Sequence, residues 1–81
     1  MDHALEEIIS ACLIDSRIRD LVESIASMSK EQREEFKKKM NIYFAGKSAE
    51  EDVQAYRFYK LVLERHREIL EEVRKRERSE G

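Results

Sequence analysis

The sequence predicts an all-α protein, a small bundle of three short helices packed on one long C-terminal helix. Three observations carry that expectation. The chain contains no proline and only two glycines in 81 residues, so little interrupts a helix. Apolar residues recur at three- and four-residue spacing almost throughout, which is the helical period and not that of a strand. Two Ser-x-x-Gln/Glu signatures, Ser29 with Gln32 and Ser48 with Glu51, have the form of capping boxes that start helices.

The first two helices are expected at about residues 3–14 and 16–27. Leu5, Ile8, Ile9, Cys12 and Leu13 share one face at 100° per residue, whereas Ile18, Leu21, Val22 and Ile25 share nearly the opposite one. One straight helix would present two apolar faces in succession. A break near Asp15 and Ser16, both good N-cap residues, removes the conflict. The alternative is one continuous helix whose halves meet different neighbours.

The third helix is expected at about 30–45, opened by Ser29 and closed by Gly46, a residue suited to the left-handed turn just past a helix end. Its apolar face is Phe36, Met40, Tyr43 and Phe44, read as core. Glu34–Lys38 and Glu35–Lys39 are oriented i,i+4 pairs. The fourth helix is expected at about 49–78, with acidic residues in its first turn and arginines near its end, both favourable to the helix dipole. Thirty residues make a helix about 45 Å long, which overhangs helices half that length. Between Val53 and Leu63 its apolar residues point in nearly every direction, the pattern of a central post covered by the shorter helices. Val53, Phe58 and Leu61 lie off the main stripe and need separate cover. Beyond Leu63 a single stripe remains.

Length and composition bound the function. Eighty-one residues form one domain. With 41% apolar and 42% charged residues the chain is not a disordered tail. The net charge of −2 is no broad basic footprint. It is uneven: residues 1–28 carry six acidic against two basic side chains, and residues 29–47 six basic against three acidic. The lone Cys12 allows no internal disulfide, which suits a reduced, cytoplasmic setting. No signal-peptide layout or membrane-length apolar run is present. Abundant Glu, Lys and Arg with scarce Asn, Gln and Cys lean toward a thermophilic source.

Motifs with catalytic or ligand-binding overtones fall away on inspection. "AGKS" at 45–48 has Asn41 where a phosphate loop needs its first glycine, and no strand precedes it. His66 has Val62 and Leu70 at i−4 and i+4, so it lacks a ligand partner on its own face. His3 has only Glu6 and Glu7 within a turn. Cys12 lies among Leu5, Ile8 and Ile9 with no adjacent His or positive charge to activate it. No enzyme, metal or cofactor is predicted.

The predicted function is a non-enzymatic helical protein-interaction module, a homodimer through the long C-terminal helix or a module for a helical partner. Its interface residues are Tyr59, Leu63, His66, Ile69, Leu70 and Val73, because an uncovered stripe of that length needs a partner. His66 at the stripe's centre is expected as the polar member of that contact, bonded to a tyrosine, a backbone carbonyl or its symmetry mate; the sharper alternative is a pH-sensitive interface. The alternative is a small nucleic-acid-associated regulator using Lys37, Lys38, Lys39 and Lys47 with the basic tail Arg74, Lys75, Arg76 and Arg78. Residues 25–55 are similar in texture to the first part of the helix-turn-helix region of bacterial sigma factors. No second glycine turn or recognition helix follows Ala55, and Glu50, Glu51 and Asp52 would face phosphates.

Overall fold

Asp2 accepts the backbone N–H of Ala4 at 3.0 Å and so caps the first helix of the computed structural model, which describes residues 2–80. Four helices follow in order: α1 (His3–Ile14), α2 (Ser16–Ser27), α3 (Lys30–Phe44) and α4 (Glu50–Glu80). No strand occurs among the described residues. Helix α4 touches each of the other three, which is the predicted arrangement of three short helices on a long C-terminal one.

The chain breaks between α1 and α2 at Asp15, whose backbone is extended (φ −134°, ψ 108°). Its N–H still donates to the Ala11 carbonyl at 2.9 Å, closing α1, while its carboxylate accepts the Arg17 N–H at 2.9 Å and opens α2. The Arg17 guanidinium returns to the same carboxylate at 3.2 and 3.1 Å. One residue thus ends one helix and caps the next, and the apolar face turns over between them.

Between α2 and α3 the Ser29 hydroxyl accepts the Gln32 N–H (3.1 Å) and the Gln32 side chain accepts the Ser29 N–H (2.8 Å), a complete capping box. Arg33 donates back to the carbonyls of Ala26 and Met28, satisfying the end of α2. Gly46 takes φ +80° after α3, the left-handed conformation that only glycine adopts freely. The second expected box does not form. Helix α4 starts at Glu50, with the Ala49 carbonyl accepting the Val53 N–H at 3.0 Å, and Ser48 makes no capping bond. The exposed pairs Glu34–Lys38 and Glu35–Lys39 are also unclosed, as long solvated side chains gain little by being held together.

Helix α4 is not straight. Arg65 leaves the helical region (φ −131°, ψ 27°), bending the helix between two regular halves, 50–64 and 66–80. This overturns the expectation of a straight helix overhanging its bundle. The neighbouring residues Glu6 and Glu7 show the consequence. Glu6 meets Arg76, while Glu7 lines a groove with Gln54 and Arg57. On a straight helix Arg57 and Arg76 would stand about 28 Å apart. The bend lets both halves of α4 reach α1.

The core is aliphatic. Leu5, Ile8, Ile9 and Cys12 of α1 and Val22 and Ile25 of α2 meet Val62, Ile69, Leu70 and Val73 of α4. Full burial of such a side chain stabilises by about 1.5–3 kcal/mol. Only Val62 comes from the first half of α4, so the sequence expectation is reversed. The half with apolar residues all round is only partly covered, and the single-stripe half is the one buried by its own chain.

Candidate interaction surface

Helix α3 and the first half of α4 form a hairpin that holds all six aromatic residues of the chain: Phe36, Tyr43, Phe44, Tyr56, Phe58 and Tyr59. None of them is buried. The capping box at Ser29 and the glycine turn at Gly46 set where α3 begins and ends, and the i, i+4 spacing of Phe36 and Met40 lays that face along α4. Met40 alone closes the seam, at 5% exposure. Around it the rings form edge and tilted pairs: Phe36–Tyr59 at 5.8 Å between centroids, Phe44–Tyr56 at 5.7 Å and Tyr43–Phe44 at 4.9 Å. The Tyr56 hydroxyl donates to Asn41 Oδ1 at 3.0 Å and ties the two helices near the turn that joins them.

The expectation that Phe36, Tyr43 and Phe44 are core residues is therefore corrected. Helix α3 touches α4 but is backed by no second layer, so its aromatic face is half open. Tyr43 is 60% exposed, and Ile42, nearly opposite Met40 around the helix, is 77% exposed. A groove beside the seam is lined by Phe36, Met40, Tyr43 and Tyr59, with Lys39 on its α3 side and Asp52 on its α4 side. A second groove, between α1 and α4, is lined by Ala4, Ile8, Ala11, Ile18, Phe58 and Leu61. It supplies the partial cover that Phe58 and Leu61 need.

Of the residues expected at an interface, Tyr59 lies half-buried in the aromatic face, and Leu63 lines a shallow groove with Lys30, Arg33 and Lys37. Ile69, Leu70 and Val73 are occupied within the chain at 0, 6 and 0% exposure, packed against α1 and α2 beyond the bend at Arg65. His66 is half-buried beside Arg33, Arg67, Glu71 and Arg74, and its Nδ1 is buried with no hydrogen-bond partner among the described residues.

The basic residues occupy several places. Lys37, Lys38 and Lys39 are exposed on α3, and Lys47 lays its ammonium over the Tyr43 ring, 4.0 Å from the centroid. Arg74, Lys75 and Arg78 are exposed, but Arg76 is bound by Glu6 and Glu72. Arg33, a residue sequence reasoning passed over, borders one groove with Lys37 and another with Arg67 and Arg74. Glu34, Glu64 and Glu71 alternate with these cations.

Burial raises the Cys12 thiol's pKa, which keeps it protonated and inert. No group of three His, Cys, Asp or Glu side chains is placed to hold a metal ion among the described residues. No described helix is long and apolar enough to cross a membrane.

No protein-family model, curated protein or solved structure matches this chain.

Proposed function

We propose that this protein is a non-enzymatic helical interaction module that pairs with another helical surface, in the first instance a second copy of itself, through the aromatic face of α3 and the first half of α4. One observation carries the reading: none of the six aromatic side chains is fully buried and five of them, Phe36, Tyr43, Phe44, Tyr56 and Tyr59, gather on that hairpin, while the buried cluster consists of aliphatic side chains and Cys12. Aromatic residues concentrate in protein interfaces because they bring large rigid apolar area at little entropic cost. Charge favours a second copy. Exposed lysines 37 to 39 lie on α3, and Glu50, Glu51 and Asp52 open α4, so the hairpin carries charges of both signs that a second copy can complement. Ile69, Leu70 and Val73 serve the core of the closed chain, so the proposed contact is assigned to residues N-terminal to the bend.

Light scattering across a concentration series tests it. Without prior warming, the wild type is expected to self-associate and Tyr43→Glu, an exposed substitution that spares the core, to be monomeric. A wild type monomeric at every concentration removes the self-pairing.

A second reading, a nucleic-acid-associated regulator, draws on Arg33, which links Lys37 to Arg67 and Arg74 along one side of the molecule. It requires binding that weakens steeply with salt. Absence of retention on DNA or RNA at low salt eliminates it.

A further inference from the structure

The bend in α4 has no cause in its own residues. Sharp helix kinks trace to proline, to glycine or serine, to π-bulges or to an inserted group. The stretch from Val62 to Leu70 contains no Pro, Gly or Ser, and the residues flanking Arg65 on both sides are regular α-helix. Glu64, Arg65, Arg67 and Glu68 are good helix formers. What bends the helix is the docking of Ile69, Leu70 and Val73 on α1 and α2. That docking surface is identical in every copy of the chain.

We propose that two copies exchange the C-terminal half of α4, with Arg65 as the hinge. If Arg65 takes helical angles, α4 becomes a rod and residues 66–80 project about 22 Å beyond the hinge. There they meet the α1–α2 face of a second copy, which receives Ile69, Leu70 and Val73 as its own chain did. Two-fold exchange would restore the core contacts of Ile69, Leu70 and Val73 and return Arg65 to helical angles. His66, with its buried unpartnered Nδ1, stands next to the hinge and leaves its present surroundings when the helix straightens. The exchange goes beyond the hairpin pairing and does not depend on it.

Two ion pairs report the exchange, because among the described residues they join α4's second half to the rest: Glu6–Arg76 and Arg19–Glu77, both at 2.6 Å. Glu6→Arg and Arg76→Glu are made as separate proteins, both in a Tyr43→Glu background so that hairpin pairing cannot contribute. Each variant alone sets like charges together, whether closed or exchanged with itself. An exchanged heterodimer of the two sets opposite charges together at both places. Mixed at high concentration, warmed and cooled, the pair is expected to give at least ten-fold more heterodimer by native mass spectrometry than either gives homodimer. Arg19→Glu mixed with Glu77→Arg should repeat the result should either of the first two variants fold poorly. Monomers only, or hetero- and homodimers in statistical proportion, in both pairs overturns the proposal.

Discussion

Arg76 of α4 grips Glu6 of α1 with two parallel bonds, guanidinium to carboxylate, at 2.6 and 2.8 Å across 70 residues of chain. Glu72 holds the same guanidinium at 3.2 Å from one helical turn earlier. The pair lies at the surface, with side chains 30 and 41% exposed, and it closes the first helix against the last. Fork-to-fork geometry makes it more specific than an ordinary surface ion pair.

Acid should loosen this closure. The Glu6 carboxyl is held below its ordinary value of 4.5, chiefly by its hydrogen bond from Arg76 and then by that residue's charge. A group whose pKa is depressed by folding adds stability above its unfolded value and loses that contribution as pH falls through the folded one. Asp15 is depressed likewise by Arg17 and adds to the same window. Urea midpoints are expected to hold steady near neutrality and fall below pH 4.5, with a shallower fall in Glu6→Gln. An unchanged acid limb in that variant would assign the loss elsewhere.

The bent half of α4 should matter more to stability than the aromatic hairpin. Ile69 is fully buried, so Ile69→Ala is expected to cost about 2–5 kcal/mol in chemical denaturation. Tyr43→Ala, at an exposed position, is expected to stay within about 0.5 kcal/mol of wild type. The opposite ranking would mean that the hairpin, and not the aliphatic cluster, is the real core.

Asp15→Ala removes the cap of α2 and the partner of Arg17 together. A cost of about 1 kcal/mol is expected, with Asp15→Asn retaining most of the cap because its side-chain oxygen still accepts the Arg17 N–H. Equal losses in both variants would credit the ion pair instead of the cap.

His66→Leu should leave stability unchanged or raise it by about 1 kcal/mol. Its Nδ1 is desolvated without a hydrogen bond, and an unsatisfied buried polar atom costs about 1–3 kcal/mol. A clear drop in melting temperature would show that the imidazole has a partner in solution.

Helix number, the break at Asp15, the capping box at Ser29 and the stop at Gly46 were legible in the sequence because each is encoded within a few residues. The bend at Arg65 was not. The local sequence there prefers a straight helix, and the cause is a contact between segments some sixty residues apart. The same gap explains the reversal along α4. A single stripe is the imprint of docking on one surface, but it does not say whose surface. An all-round apolar stretch fits a central post and equally an open face awaiting cover. The crowding of six aromatics into residues 36–59 was visible as composition. Read as helix faces, those residues looked like core, because periodicity shows which side chains share a face and not whether a second layer lies over them.

The Glu6–Arg76 clasp also separates the order of the chain from the shape of the molecule. Near neighbours in space, the first and last helices can be joined by a short flexible linker, and new ends opened between Gly46 and Lys47, where residues 45–48 are all exposed. Such a circular permutant would keep every helix whole. It would make α4 the opening helix and α3 the closing one, with the Arg76–Glu6 contact turned from the most distant in sequence into one of the nearest.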